Sequence, residues 1–528
     1  MRDRLPNILP AGSGLAPEPV LRALAEATSA AFPNLARQFV HRWAKTLGAQ
    51  IEWGQADPPL LLFRTAIAGL YLRGFEDIPC WLLPPGLDAG QFFGPGGRGK
   101  QSGMLGSEEI PVVICPLEEM EQEALAVLPK NRAVVLGPVT LHAILSPDSA
   151  RSRAALAQAI RSQVHALRLQ PFDTTRPVAG DMFFGRAHEL DLLRYEREWF
   201  LITGPSRIGK SSLLAHYRYL LRKESDPRLA RSFYVNLQPC SSSKEDDTAR
   251  YIAMHFRSVS THSGGITMRE LRSFLFSVIA GSGGPIEIIL DEADAVCHTD
   301  LLVAIGEFAQ ASGSRLIVIG RGAVRHHWQK QRATAFGRLR DLRFQALDPD
   351  NAWHLFSKPI EALGLTLQCP DTMRAQVLQQ TSRMPHLIQA AARSAVETAL
   401  ATHSTQISAS LLRRGHDPFA DFSMLRSHLE DLRDDHSRIA ATTVLLGQRE
   451  GLHKAEAIQT ALAKDGLHLS AAGITAVCDD LVINCLLGWE ENGYAAPRWD
   501  ICQTAQRHPQ HLLAIRAECF TRLRASSK

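Results

Sequence analysis

One nine-residue segment constrains the fold of this chain more than any other. It has the sequence GPSRIGKSS and lies between an apolar run, WFLIT, and an amphipathic run, LLAHYRYLL. Gly204 and Gly209 permit a backbone curl that turns successive N–H groups toward one point, and a helix starting at Lys210 adds its positive dipole end. This order of strand, loop and helix predicts a phosphate-binding loop within an α/β fold.

The polar side chains of this loop predict what it binds. Lys210 supplies a point charge for the β- and γ-phosphates of a nucleotide, and the Ser211 hydroxyl is a ligand for Mg²⁺. We therefore predict that ATP and Mg²⁺ bind here. The predicted nucleotide contacts are the nine residues of the loop: Gly204, Pro205, Ser206, Arg207, Ile208, Gly209, Lys210, Ser211 and Ser212.

A second glycine-rich segment, Gly94–Gln101, has similar glycine and lysine spacing. It carries Gln101 where a hydroxyl side chain is required, and it lacks a β-like run before it and a helical pattern after it. We interpret this segment as a loop and not as a second phosphate site.

An acidic pair follows another largely apolar run, Ile286–Leu290. Asp291 at the end of this strand is predicted to face Mg²⁺, and Glu292 is predicted to be the base that orients the attacking water. A solvated strand end would explain one acidic residue, whereas two acids closing an apolar strand favour a catalytic function.

The middle of the chain repeats the order strand, loop and helix. This pattern is typical of a parallel sheet that is covered by helices on both faces. The five predicted strands are Trp199–Thr203, Phe233–Leu237, Ile286–Leu290, Leu316–Ile319 and Leu342–Ala346.

Beyond residue 350 the pattern becomes helical. Helices are predicted at Asn351–Leu363, Pro370–Gln380 and Pro385–Thr402, which would form a lid. The segment Ser437–Gln506 has the pattern of three helices and a hairpin that turns at Glu491-Asn492-Gly493, which predicts a winged helix.

The N-terminal residues predict a separate small α/β domain. Helical spacing covers Pro19–Leu47, and an acidic helix at Leu117–Val127 lies between the β-like runs Ile110–Cys115 and Arg132–Leu136. A proline-bearing linker follows at Gln170–Val178. The expected domains are an effector or sensor at 1–175, an α/β core at 176–350, a helical lid at 351–430 and a winged helix at 431–528.

The segment Phe184-Gly185-Arg186-x-x-Glu189-Leu190, just before the loop, resembles a segment of the AAA+ and STAND ATPases. The resemblance implies a P-loop NTPase core that hydrolyses ATP, with Phe184 and Arg186 near the adenine. It also implies that the strand Leu316–Ile319 presents a γ-phosphate sensor. That strand ends in Gly320-Arg321, and an arginine at this place is similar to STAND members, so Arg321 is the candidate sensor, with a surface arginine as the alternative.

The same resemblance suggests three further residues. Arg338 and Arg340 stand where AAA+ proteins present an arginine finger to a neighbouring subunit, although their basic run could also be a solvated face or a polyanion contact. Pro385 resembles the proline that packs on the nucleotide in STAND proteins. The glycine expected shortly before that proline is absent.

A DNA-reading function for the winged helix has weak support in the sequence. Its predicted recognition helix, Ser470–Ile483, contains Asp479 and Asp480 and no lysine or arginine, and residues 438–500 contain five basic against eight acidic side chains. Because phosphate neutralisation supplies most non-specific DNA affinity, this composition favours packing against protein.

Composition excludes several other classes. The chain has 45% hydrophobic and 21% charged residues, with no apolar run long enough for a bilayer span, and its N-terminus lacks the pattern of a secretion signal. A cytoplasmic location is expected.

Nine cysteines without a CxxC pair argue against a disulfide framework and a zinc site, and His326-His327 have no nearby ligands at metal spacing.

Together these features predict an ATP-dependent switch of the STAND/AAA+ type that is coupled to an unknown protein partner or trigger. A nucleotide-dependent homo-oligomer is compatible with Arg338 and Arg340 acting in trans. The first alternative is a DNA-binding AAA+ ATPase of the origin-recognition or remodelling type. The second is a nucleotide-stabilised scaffold that hydrolyses little.

Overall fold

The computed structural model describes residues 19–526, apart from residues 29, 54–60, 74, 76–77, 89–91, 94–109, 129–130, 242, 257–265, 298, 332–333, 410–422, 431, 448–453, 485, 491–492 and 496–498. The glycine-rich segment Gly94–Gln101 and the turn residues Glu491 and Asn492 lie outside the described residues. The chain divides into two compact units. The first comprises the described residues up to Pro171 with Ser357–Thr366 and Ala399–Gln406, and the second comprises the rest.

The first unit contains a five-stranded mixed sheet. Its strands are β1 (Gln50–Trp53), β2 (Leu61–Ala66), β3 (Ile78–Leu82), β4 (Val112–Ile114) and β5 (Val134–Leu136), and they lie side by side in that order. β1, β2 and β3 are antiparallel, whereas β3, β4 and β5 are parallel. Its helices are α1 (Pro19–Ala25), α2 (Phe32–Leu47), α3 (Glu118–Val127), α4 (Pro138–Ile144), α5 (Ser149–Gln163) and α6 (Ala166–Leu169).

This unit confirms the small N-terminal α/β domain. The sequence predicted β4, β5 and the acidic helix α3 at nearly their observed positions. It did not predict β3, whose five residues are fully buried but include Pro79, nor β1, which is mostly exposed. A proline within a strand and a polar edge strand both weaken the usual pattern of alternation.

The second unit contains a five-stranded parallel sheet. Its strands are β6 (Phe200–Thr203), β7 (Ser232–Asn236), β8 (Glu287–Asp291), β9 (Arg315–Gly320) and β10 (Arg340–Arg343), in the spatial order β10-β6-β9-β8-β7. All four pairings are parallel. The five predicted strands are therefore confirmed, and β9 lies between the strand of the phosphate-binding loop and the strand that ends in the acidic pair.

The last predicted strand, Leu342–Ala346, begins two residues and ends three residues too far along the chain. The observed strand β10 begins at Arg340, which pairs with Phe200 of β6. It is an edge strand whose end residues are exposed. An edge strand with polar residues does not form an apolar run. The sequence pattern therefore placed the strand in the more apolar residues that follow Asp341.

Helices cover both faces of this sheet. They are α7 (Ala187–Tyr195), α8 (Lys210–Lys223), α9 (Glu245–His255), α10 (Met268–Ser282), α11 (Leu301–Ser312) and α12 (Gly322–Lys330). One face packs on a cluster that includes Leu290, Phe308 and Phe336, and the other on a cluster that includes Tyr217, Ile289 and Ile319. Alternate residues of β8 thus enter opposite cores, as expected for a strand buried on both faces.

The remaining part of the chain is mostly helical. The first helices are α13 (Pro349–Ala362), α14 (Pro370–Gln380) and α15 (Pro385–Ala401), close to their predicted bounds, with a short pairing of β11 (Thr366–Leu367) and β12 (Gln406–Ile407). They are followed by α16 (Ser423–Glu430), α17 (Asp435–Gly447), α18 (Ala455–Lys464), α19 (Ala471–Ile483), the antiparallel pair β13 (Gly488–Glu490) and β14 (Gly493–Ala495), α20 (Trp499–Arg507) and α21 (Pro509–Ser526).

Three helices and a hairpin follow one another here in the predicted order. The sequence patterns did not mark α21, which packs against α17 and contributes Leu512 and Cys519 to the buried core of this region. The domain boundaries at residues 350 and 430 stay predictions.

Candidate nucleotide-binding site

The phosphate-binding loop connects β6 to α8 and depends on two glycines. A Cβ at Gly204 would lie 2.9 Å from the Cβ of Phe344, so any larger residue would collide with the chain segment that follows β10. Gly209 has a φ of 99°, in the left-handed region that glycine enters at little cost, and it begins α8. Both features allow the loop to curl closely around the start of the helix.

Lys210 is the first residue of α8 and is almost fully buried. Its Nζ donates hydrogen bonds to the carbonyl oxygens of Gly204 and Pro205, each at 2.8 Å. Burial lowers the pKa of Lys210, while the nearby Glu292, Asp294 and Asp291 oppose that shift. The ammonium group is thus held inside the curl of the loop, next to carboxylates that favour its charged form.

The acidic pair lies where the carboxyl end of β8 meets the loop. Asp291 is 2% exposed and accepts a hydrogen bond from the Tyr234 hydroxyl at 2.8 Å, which fixes its carboxylate. Glu292 adopts a left-handed conformation with a φ of 55°. Burial and the adjacent Asp291 raise the pKa of Glu292, and Lys210 opposes this shift. A carboxyl group with a raised pKa in a cleft has the properties of a general base.

A third carboxylate, Asp294, was missed by the sequence analysis. Its Oδ2 accepts a hydrogen bond from the Arg321 amide at 2.5 Å, and its Oδ1 accepts one from the Val324 amide at 2.9 Å. A Cβ at Gly320 would lie 2.5 Å from Asp294 Oδ2, so only glycine permits this approach. Asp294 therefore caps α12 and ties the end of β9 to the acidic pair. The sequence offered one indication of this residue, because Asp294 is a further acidic residue only three positions after Asp291.

A cavity of about 470 Å³ adjoins this loop. It brings together most of the predicted nucleotide contacts, and its lining includes Ser206, Arg207, Ile208, Gly209, Lys210, Ser211, Ser212, Phe184, Arg186, Glu292 and Pro385. Among the described residues, the lining does not include Gly204, Pro205, Asp291, Arg321, Arg338 or Arg340.

Arg186 is held on one side of this cavity by several contacts. Its guanidinium lies 4.4 Å from the centre of the Phe344 ring, pairs with Glu189 at 3.4 Å and donates to the carbonyl oxygen of Gln345. Burial lowers the pKa of Arg186. Because Phe344 also touches Gly204, Arg186 and the phosphate-binding loop share a packing partner.

The segment before Phe184 also contacts the start of α8, which the sequence analysis did not anticipate. The rings of Phe183 and His216 are stacked with their centres 4.3 Å apart, and His216 Nδ1 accepts a hydrogen bond from the Gly180 amide. Burial lowers the pKa of His216 to about 4. The Ser212 hydroxyl accepts a hydrogen bond from the Val178 amide at 3.2 Å. These contacts attach the segment before Phe184 to α8.

Pro385 begins α15 and lines the same cavity. A glycine was expected within Ser382-Arg383-Met384, before this proline, and Ser382 and Arg383 have φ values of 45° and 59°. The backbone thus adopts the left-handed turn that glycine favours, even though the sequence supplies side chains there.

The two candidate finger residues lie at the opposite end of the strands from the phosphate-binding loop. Arg340 begins β10, and its Nη1 pairs with Glu196 and Glu198 at 2.9 Å each. The structure therefore does not bring Arg338 or Arg340 to the phosphate-binding loop of their own chain. Their function as trans-acting fingers stays a prediction.

The predicted recognition helix, α19, contacts the core within the second unit. Asp480 is fully buried, and its Oδ1 lies 2.9 Å from His326 Nε2 of α12 while its Oδ2 accepts a hydrogen bond from the Arg433 amide at 2.8 Å. A second cavity is lined by Gly204, Phe344 and Asp479, among others. Asp480, one of the two acidic residues that weakened a DNA-reading function, therefore packs α19 on the core.

The residues of this site fit a nucleoside triphosphate with Mg²⁺. Gly209 turns the chain into the start of α8, Lys210 carries its charge inside the loop, and Ser211 and Asp291 are oxygen donors of the kind that Mg²⁺ prefers. Within the described part of the chain, no cluster of three or more histidine, cysteine or acidic side chains could hold a metal ion by itself. Phosphate oxygens would have to complete the coordination.

The comparisons with known proteins found similar folds only. No protein-family model matches the sequence, and no curated protein matches it. A Walker-type ATPase of Pyrococcus abyssi is similar at 15% identity over 63% of this chain and 99% of that chain, with a TM-score of 0.48. The ORC2 protein of Aeropyrum pernix is similar at 13% identity over 65% and 98%, with a TM-score of 0.46. The RuvB branch-migration motor of Thermotoga maritima is similar at 14% identity over 64% and 99%, with a TM-score of 0.33.

The observed architecture confirms the predicted fold class. In the second unit a five-stranded parallel sheet carries the glycine-containing loop between β6 and α8, and helical segments follow the sheet. None of the helices that the structure describes is long and apolar enough to span a membrane.

Proposed function

We propose that this chain is an ATP-binding and ATP-hydrolysing molecular switch of the AAA+ type. The observation that carries the proposal is the single cavity lined by Lys210, Ser211, Glu292, Arg186 and Pro385. A phosphate-binding loop, an acid with a raised pKa and the start of a helical lid there surround one space that is large enough for a nucleotide.

Each residue has a proposed task in hydrolysis. Lys210 and the N–H groups of the loop bind the phosphates, and Glu292 accepts a proton from the attacking water. Bound Mg²⁺, held by Ser211 and by Asp291 through water, would neutralise charge that develops on the phosphate oxygens. Tyr234 keeps the Asp291 carboxylate in place through its hydrogen bond.

Arg321 is the proposed link between the nucleotide and the C-terminal helices. Its backbone is fixed by Asp294, two residues beyond the proposed base, and α12 begins directly after it. The same helix carries His326, which contacts Asp480 in α19. A change at the γ-phosphate that moved Arg321 would therefore shift a helix on which the C-terminal region rests. A nucleotide can drive such a change only through different affinities for two states.

Two outputs are compatible with this switch. In the first, as in STAND proteins, the winged helix packs on the core and controls an N-terminal effector or a protein partner. The contacts of Asp480 support packing of this kind. In the second, the chain is a DNA-binding AAA+ ATPase of the origin-recognition or remodelling type. Three helices followed by a hairpin support this alternative, and the similar structures include an Aeropyrum pernix ORC1 protein in complex with DNA.

Nucleotide turnover and particle mass test the proposal as a whole. We expect the full-length chain to hydrolyse ATP slowly and to change its mass distribution between ADP and a slowly hydrolysed ATP analogue. Assembly with the analogue alone would support Arg338 and Arg340 as groups that act in trans. Stoichiometric binding without turnover would favour the nucleotide-stabilised scaffold.

Duplex binding at low salt separates the two outputs. Titration of the full-length chain with a labelled duplex, with ADP and then with the ATP analogue, should show salt-dependent binding if the winged helix reads DNA. Binding that required the ATP state and fell with salt would favour the origin-recognition type. No binding of duplex DNA with either ADP or the ATP analogue would favour the protein-coupled switch.

A further inference from the structure

An arginine-rich groove of about 1050 Å³ lies at the amino-terminal edge of the parallel sheet, at the opposite end of the strands from the phosphate-binding loop. We call it the arginine groove. It is formed where β6, β8, β9 and β10 begin, and Trp199, Glu287, Arg315 and Arg340 mark these strand starts. Its lining contains seven arginines: Arg194, Arg197, Arg228, Arg231, Arg315, Arg338 and Arg340. Only three acidic residues, Glu196, Glu198 and Glu287, lie among them.

Four of these arginines are held by carboxylates. Arg194 pairs with Glu224 and Arg228 with Asp226, each at 2.7 Å, and Arg340 is clamped by Glu196 and Glu198. Arg315 pairs with Glu287 at 2.8 Å. These pairs fix the walls of the arginine groove.

The other three arginines carry the excess charge. Within the described part of the chain, Arg197, Arg231 and Arg338 form no ion pair. Arg197 and Arg338 are exposed and Arg231 is half-buried. Their guanidinium groups can therefore meet an anionic ligand without first releasing a protein carboxylate.

The floor of the arginine groove contains a buried donor that no described residue satisfies. Arg315 uses Nη1 to contact Glu287 and the carbonyl oxygen of Leu193, whereas its Nη2 is buried and has no acceptor among the described residues. A buried donor without an acceptor is costly, so an acceptor that reached Nη2 would be favoured there.

We propose that the arginine groove is a second binding site, for single-stranded nucleic acid. Guanidinium groups match phosphate oxygens through paired hydrogen bonds, and every basic residue in the lining is an arginine. Tyr195, which is 70% exposed, and the half-buried Trp199 lie in the same lining and supply flat rings for stacked bases. Arginines interleaved with aromatic rings are the combination that binds single strands without regard to sequence.

The dimensions favour an extended ligand. The four strands β10, β6, β9 and β8 are neighbours, so the groove crosses three strand spacings, roughly 14 Å in all. Pockets for small ligands are mostly apolar, whereas the lining of this groove contains seven arginines and three glutamates. None of the residues that line the groove belongs to the predicted winged helix, and ligand binding in the groove does not require ATP hydrolysis.

Fluorescence anisotropy of the full-length chain with a labelled oligothymidylate of about 20 nucleotides tests this site. The test variant is Arg197→Gln/Arg231→Gln, which removes two unpaired charges and leaves the wall-forming pairs intact. The matched control is Arg250→Gln/Arg393→Gln, which removes two exposed arginines that pair within their own helices. The titrations contain no nucleotide, so failure of the ATPase proposal would not affect them.

The wild type is expected to bind, and the groove variant to bind at least about tenfold more weakly with a salt slope reduced by about 1.4, since each lost phosphate contact removes about 0.7. Tyr195→Ala should weaken binding about fivefold or more, and Tyr195→Phe should retain it. Equal affinities and slopes for groove and control variants would overturn the proposal, as would a wild type that does not bind. An oligoglutamate peptide that competes as strongly as the oligothymidylate would reassign the groove to acidic peptides.

Discussion

Asp480 Oδ1 lies 2.9 Å from His326 Nε2, and this contact joins the helix that follows the candidate sensor Arg321 to the predicted recognition helix. Asp480 is fully buried and also accepts hydrogen bonds from the Arg433 amide and Asn484. One carboxylate therefore holds α12, α19 and the segment between α16 and α17 together.

Asp480→Ala should loosen the C-terminal region from the core. The His326 ring and the Arg433 amide would lose their acceptor, which costs about 1–3 kcal/mol of unfolding free energy. If this contact restrains the switch, nucleotide turnover should rise. Thermal melting and steady-state turnover measure the two effects. Asp479→Ala removes the neighbouring exposed carboxylate and serves as the control; equal effects of both variants would contradict a specific contact.

Lys210→Ala should abolish the rise in melting temperature that ATP causes. At a ligand concentration of 100 Kd, binding stabilises the wild type by about 2.7 kcal/mol. The variant also loses the bonds of Nζ to Gly204 and Pro205, so the difference between melts with and without ATP is compared, not the melting temperature alone. Lys223→Ala, at the other end of α8, should keep the full rise. An undiminished rise in the Lys210 variant would refute the phosphate-binding assignment.

Glu292→Gln should slow hydrolysis by about 10²–10⁴-fold and stabilise the nucleotide-free protein at neutral pH. Burial raises the pKa of Glu292, so its contribution to stability is full below the ordinary carboxyl value of 4.5 and is lost as pH rises through the folded-state value. At pH 7 the charged carboxylate therefore costs stability, and glutamine removes that cost. Melting temperatures should differ at pH 7 and converge near pH 4. An unchanged hydrolysis rate would exclude Glu292 as the base.

His216 should make the attachment of the linker sensitive to acid. Its pKa is lowered from 6.5 to about 4, so the stability it contributes is full above pH 6.5 and is lost as pH falls toward 4. Protonation would remove the acceptor for the Gly180 amide. His216→Gln offers an acceptor that does not titrate, so its melting temperature should fall less between pH 7 and pH 5. Equal falls in both proteins would contradict the prediction, and His403→Gln controls for an exposed histidine.

The residues of the candidate nucleotide site follow local sequence patterns, whereas the contacts that connect the site to the rest of the chain do not. The loop residues Gly204 to Ser212 are contiguous, and Gly204, Gly209, Lys210 and Ser211 among them have chemical requirements that fix their types. Asp291 and Glu292 also adjoin one another at a strand end. Such short-range patterns can be recognised without knowledge of the fold.

Other features depend on residues that only the fold brings together. His326 and Asp480 are 154 positions apart, and the arginine groove collects side chains from the starts of four strands. No local pattern marks such pairs. The edge strands β1 and β10 were missed or displaced because polar residues on an open edge interrupt the apolar run.

Gly320 lies at the end of β9, where even a methyl side chain would collide with neighbouring residues. A Cβ there would lie 2.3 Å from Val324 Cγ1 as well as close to Asp294. One added carbon would therefore press on the start of α12 and on the Asp294 carboxylate. We expect Gly320→Ala to be a separation-of-function variant that binds ATP but does not change conformation in response. Calorimetry should show an unchanged affinity for ATP, and the particle mass should not change when ATP is added. In cells that contain both forms, such a variant would compete with the wild type for shared partners without responding to ATP.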